Sequence, residues 1–323
     1  MSRRKLDLER LRQHARDHAV AWHEVDLTGP IHSDRWFLCE TQTPLYYADS
    51  YSELSVAEAR RYNQLTGLSF NELISFFEIN FAQYILGTLV GQDSERLPRQ
   101  LVSALVDFAE EERHHTAAFR SLNRLCEPTW YDRTPHHILH IRRPLLAMLR
   151  AVTRRPALFP AVVWIALVME EKSLATSRAL LRAGDDVIEP HFLAVYRAHL
   201  EDEVRHVQLD WHLLDHLYTE APTWLRRANA RLFCFLLTRF FLSPASAGRR
   251  VLDLLVAEHP RLRPLFPRLV SDLEALSHDA DYLRMMYSRE VTPITFELFD
   301  RYPEFHPLGE SLSSYRPATG PGP

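Results

Sequence analysis

Two Glu-x-x-His pairs are the part of this sequence best equipped for chemistry. Glu112 and His115 lie in Asp107-Phe-Ala-Glu110-Glu111-Glu112-Arg113-His114-His115, and Glu203 and His206 in His199-Leu-Glu201-Asp202-Glu203-Val204-Arg205-His206. Residues three apart share a helical face, about 60° apart around the axis, so one helix can offer a carboxylate and an imidazole to a single metal ion. One such pair arises easily by chance on a solvated helix. Two of them, about 90 residues apart, are the pattern that a two-metal carboxylate site requires. Such a site also needs a lone glutamate from each of two further helices. Glu78, inside Phe76-Phe77-Glu78-Ile79-Asn80-Phe81, is one candidate, with Glu72 as its rival; Glu170 and Glu171 are the other choice. A charge in segments this apolar is costly unless a partner or a metal neutralises it. Glu111 precedes His115 by four residues and Asp202 precedes His206 by four, so each can accept the imidazole N–H that faces away from a metal. His199 lies on the stripe of Glu203 and His206 and adds a third nitrogen.

Helical periodicity is what must position these groups, and no run alternates as a strand would. The spacing predicts helices over 52–65, 68–90, 97–125, 145–153, 160–183 and 190–218, then shorter ones over 223–242, 247–257 and 261–276. Pro98 suits a first turn and Gly184 a helix end. Short loops join 68–90 to 97–125 and 160–183 to 190–218, and the Pro- and His-rich stretch 127–144 separates the pairs. Two antiparallel hairpins joined by a crossover describe an all-α, ferritin-like four-helix bundle. The expected organisation is one domain over 1–310, with the bundle at about 66–220, extra helices over 221–300 and at the N-terminus, and a disordered tail at 311–323.

The match of Asp202-Glu203-x-Arg205-His206 to the D-E-x-R-H pattern of bacterial di-iron oxygenases is complete, while the earlier copy has Glu111 for Asp and His114 for Arg. Over residues 60–220 the chain resembles the di-iron arylamine N-oxygenases, the p-aminobenzoate N-oxygenase type. His199-x-x-x-Glu203-x-x-His206 is the most specific element. The resemblance implies a ligand set of Glu78, Glu112, His115, Glu171, His199, Glu203 and His206, and on this ground Glu171 is preferred to Glu170. It further implies that Glu112 and Glu203 bridge two irons, with Glu78 and His115 completing one shell and Glu171, His199 and His206 the other. Glu111, Asp202 and Arg205 are expected behind the ligands. The implied activity is O2-dependent conversion of a small-molecule or carrier-bound amine to hydroxylamine, nitroso or nitro product in natural-product biosynthesis. An external electron donor and a homodimer are implied with it. A ligand shell rich in oxygen suits iron, or manganese in one position, better than zinc or copper.

Composition narrows the alternatives. The chain has 323 residues, 46% hydrophobic and 25% charged, with only 9 glycines and no Gly-rich phosphate loop. A net charge of −4 gives no general attraction to nucleic acid or to an anionic membrane. Cys39, Cys126 and Cys234 form neither a disulfide framework nor a CxxC site, which fits a reducing cytoplasm. No apolar core follows the basic start Met1-Ser-Arg-Arg-Lys5, and the most apolar run, 232–242, is too short to cross a bilayer. A di-iron hydroxylase or desaturase of an acyl substrate is the main competing function. Iron storage is a third, although storage needs no helices beyond the bundle.

Overall fold

The structure, a computed structural model, describes residues 5–141, 143–242, 244–310 and 312. The tail expected at 311–323 lies outside the described residues apart from Leu312. No β-strand occurs among the described residues; an isolated bridge pairs Trp36 with Ile188. Ahead of the bundle stands α1 (Leu8–Asp17). The bundle is made of α2 (Val56–Gly91), α3 (Arg99–Cys126), α5 (Ala161–Ala183) and α6 (Pro190–Leu214), with α4 (Arg143–Thr153) in the crossover. It is a ferritin-like all-α architecture.

The segments expected at 52–65 and 68–90 are one rod. Ser55 starts it through a capping box with Glu58. Gly67 does not interrupt it, because that glycine admits Phe37 against the helix: a Cβ there would lie 2.9 Å from the Phe37 Cβ. Length and apolar composition would let α2 cross a membrane, yet more than half of its most apolar stretch is buried inside the protein. Its one irregularity is a π turn at Glu78–Ala82, a feature that helices tend to place at functional sites.

Polar groups between the rods fix their register. Asn71 of α2 donates to Asn123 Oδ1 of α3 at 2.8 Å and accepts from the Tyr196 hydroxyl of α6 at 2.8 Å. Gly184, at φ +76°, ends α5 as its sequence position suggests. Behind the bundle, α7 (Thr223–Leu236) is fastened by Asn229, which donates to Leu158 O at 3.1 Å and accepts from Ala161 N at 3.1 Å. There Trp164, fully buried, packs against Tyr218, Phe233, Phe299 and Phe305. Next come α8 (Ala245–Glu258), against α2, α9 (Phe266–Ala275), and α10 (Pro293–Arg301), which abuts α5. One hydrophobic core joins Leu11 near the start to Leu312.

Candidate metal centre

Four rods deliver acidic and imidazole groups to one interior point. Glu112, His115, Glu203 and His206 offer ligand atoms all within 4.8 Å of one another, and so do Glu78, His115 and His199. Each of these six residues is at most 3% exposed. His115 Nδ1 sits 3.6 Å from Glu78 Oε1, 3.8 Å from Glu112 Oε1 and 3.4 Å from Glu203 Oε1. His206 Nδ1 sits 3.1 Å from Glu112 Oε1 and 3.4 Å from Glu203 Oε1. His199 turns the other way round: its Nε2 is inward, 2.8 Å from Glu203 Oε1 and 3.8 Å from Glu78 Oε1, and its Nδ1 faces the Ser173 hydroxyl at 3.4 Å.

The donor set fits a cation. Both carboxylate oxygens of Glu112 and of Glu203, with Nδ1 of His115 and of His206, are buried with no hydrogen bond of acceptable geometry. Buried polar atoms are almost always paired, so six such atoms facing one point call for a missing partner. Glu78 is held by the Thr116 hydroxyl, which donates to its Oε2 at 2.6 Å, leaving Oε1 turned toward His115 and His199.

On the fourth rod the two candidate glutamates, Glu170 and Glu171, go different ways. Glu170 lies against Glu203; burial and that neighbour's charge push its carboxyl well above the usual range. Glu171 turns away and accepts the backbone N–H of Ile294 at 2.7 Å and of Thr295 at 3.0 Å, capping α10. The reason is geometric: adjacent helical residues point about 100° apart, and the bare N-terminus of α10 takes the second carboxylate. Glu72, the rival of Glu78, also has a structural partner. It accepts from the Tyr131 hydroxyl and from the backbone N–H groups of His137, Ile138 and Leu139, and so anchors the crossover.

Behind the imidazoles the partners are exchanged relative to the same-helix expectation. Asp202 of α6 faces His115 of α3, with Oδ2 3.1 Å from Nε2; Glu111 of α3 faces His206 of α6, with Oε2 2.8 Å from Nε2. Arg205 joins the two carboxylates, its Nη2 2.5 Å from Glu111 Oε1 and 2.5 Å from Asp202 Oδ1. An i,i+4 carboxylate reaches along its own helix, but a metal-facing imidazole points its far nitrogen at the neighbouring rod.

Proximity displaces the ionisation of these groups. Burial opposes charge on His115, yet Asp202 and Glu78 together raise it to about 10. His206 is likewise raised well above the ordinary value, against burial, by Glu203 and Glu111. Burial and the nearby Glu78 push Glu112 up to about 7. Asp202, although burial resists its ionisation, is drawn down to about 2 by His115. Protons thus stand in for positive charge at a point crowded with carboxylates.

Sequence reasoning missed three residues here. Trp22 donates its indole N–H to Asp202 Oδ2 at 3.0 Å, from a segment with no motif to mark it. Thr116, the residue after His115, holds Glu78. Asp210, four residues beyond His206 on the same stripe, was legible from spacing. It is 3% exposed, its Oδ2 has no hydrogen-bond partner, and burial raises its carboxyl well above the usual range.

A buried glutamate-and-histidine cluster that could hold metal, inside a ferritin-like bundle, is the arrangement of the carboxylate-type di-metal class. Within that class the chain belongs to the p-aminobenzoate N-oxygenase AurF family, whose profile matches residues 2–253. It is therefore a member of an oxygenase family. No curated protein matches it.

Proposed function

We propose that this protein is a two-iron, O2-dependent N-oxygenase that converts a small aromatic amine to its hydroxylamine and higher oxidation products. The observation that carries the proposal is the set of six buried, unbonded donor atoms on Glu112, Glu203, His115 and His206, in a chain of an N-oxygenase family. The proposed ligands are Glu78, Glu112, His115, Glu170, His199, Glu203 and His206, with His115 common to both donor groups. Two ferrous ions held there would supply the electrons that activate O2. Seven ligands dominated by carboxylate oxygen suit iron or manganese.

The protein's own residues set the conditions. Phe108 stacks on His206 with ring centroids 3.8 Å apart, and Phe119 meets His199 edge-on at 4.9 Å, so aromatic walls keep water from the imidazoles. Asp202 and Glu111 hold the outer imidazole protons and keep the inner nitrogens free to bind metal.

A cavity of about 250 Å³ has Glu171, Lys172, Val207, Met285 and Pro293 in its walls, on the α10 side of α5, and none of the seven proposed ligands lines it. Met285, Glu290 and Val291 also line a wider outer groove.

The test is direct. Ferrous-loaded protein is exposed to 18O2 and a reductant with a panel of aromatic amines and, separately, acyl substrates, and products are read by mass spectrometry. Labelled oxygen on the amine nitrogen supports the proposal. Oxidation confined to carbon of an acyl substrate replaces it with the hydroxylase or desaturase reading, and iron uptake far beyond two per chain replaces it with storage.

A further inference from the structure

We propose that Trp22 is a one-electron donor to the oxidised metal centre, connected to it through Asp202 and His115; this rests on the two-iron oxygenase function proposed above. His115 turns Nδ1 to the cluster and Nε2 to Asp202 Oδ2, 3.1 Å away. The same oxygen accepts the Trp22 indole N–H at 3.0 Å, and the indole and imidazole centroids are 5.0 Å apart. Two hydrogen bonds therefore span the distance from an inner imidazole to a ring that reaches the half-buried outer layer.

The other two inner imidazoles end differently. His206 leads to Glu111 and Arg205, and His199 to Ser173, groups that do not give up an electron. Other indoles in the interior lack this connection: the N–H groups of Trp164 and Trp211 have no hydrogen-bond partner. Trp22 comes from a three-residue turn outside the bundle, so it reaches Asp202 without belonging to any of the four rods.

In productive turnover the electrons balance without Trp22: amine, O2, two protons and two electrons from the ferrous pair give hydroxylamine and water. When no amine is bound, the oxidising equivalents left by O2 have no substrate nitrogen to act on, and the ligands themselves are exposed to them. One electron then leaves the indole and the oxidised centre gains it. The indole proton shifts along its hydrogen bond to Asp202 Oδ2, leaving a neutral indolyl radical. No heavy-atom bond forms or breaks, and an external one-electron donor with one proton restores the indole.

The experiment is a freeze-quench electron paramagnetic resonance series on full-length, ferrous-loaded protein mixed with O2 in the absence of amine. The wild type should show a transient organic radical whose hyperfine lines narrow when the protein carries ring-deuterated tryptophan. Trp22→Phe should lose that signal while binding the same iron per chain, and Trp22→Tyr should replace it with a tyrosyl signal. Persistence of the radical in Trp22→Phe overturns the proposal, as does O2 consumption by the wild type with no radical. If Trp22→Phe binds less iron and Trp22→Tyr restores the iron without a tyrosyl signal, the indole only positions Asp202 and the proposal falls. Failure of the ferrous wild type to consume O2 is a separate outcome, because it removes the oxygenase function itself.

Discussion

Glu170 and Glu171 are neighbours of the same type, both buried, and separated in role by the direction each takes from α5. Glu170 meets Glu203, and Glu171 meets two backbone N–H groups of α10. Glu170→Ala should therefore lower bound iron per chain, measured by metal analysis. Glu171→Ala should keep the iron and lower the unfolding free energy by about 1–3 kcal/mol, the cost of leaving buried donors unsatisfied, read from urea denaturation. The reverse pattern would restore Glu171 as the ligand. Glu72→Ala belongs with Glu171: it strips the acceptor from the crossover and should destabilise the fold without emptying the site. At this scale the Glu-x-x-His pairs, His199 and Glu78 were legible because a helix repeats its faces every three or four residues. The choice between Glu170 and Glu171 was not, since Leu167 and Leu174 flank both and the deciding contact comes from α10, over 120 positions away.

The rods themselves were mostly readable from prolines, caps and apolar spacing. The unity of α2 was not, because Gly67 looks like a break in sequence and becomes a packing notch only once Phe37 lies on it. Gly67→Val should cost about 1–3 kcal/mol through overpacking, checked by thermal unfolding, with the helix content otherwise retained. The exchange of Asp202 and Glu111 between α3 and α6 is likewise a property of two rods together. Spacing along one helix named both carboxylates and assigned each to the wrong imidazole. Asp202→Asn should weaken iron binding by about 10–100-fold, the usual range for a group that orients a metal-bound histidine, and the effect should appear first on the His115 side. An unchanged iron titration would contradict the crossed arrangement.

For the whole molecule, the buried cluster makes stability depend on pH and on metal together. Glu112 is raised from 4.5 to about 7 and His115 from 6.5 to about 10, so the metal-free folded chain holds more protons than the unfolded chain between those values. Its stability should then fall as pH rises, through 4.5 to 7 for Glu112 and through 6.5 to 10 for His115. Iron bound as proposed would replace those protons, and the loaded protein should lose this dependence while releasing protons as it binds metal. Melting curves of both forms from mildly acidic to mildly alkaline pH check the sign; a metal-free form that gains stability with rising pH would contradict it. The helices beyond the bundle were visible as surplus length, but what they meet, with α10 claiming Glu171 and α7 closing over Trp164, emerges only from the assembled fold.

The most direct measurement is anomalous diffraction at the iron edge from crystals grown anaerobically with ferrous salt. Two iron peaks should lie among Glu78, Glu112, His115, Glu170, His199, Glu203 and His206, with Glu171 still on the N-terminus of α10. No iron at that point, with its carboxylates and imidazoles paired to one another instead, would contradict the account.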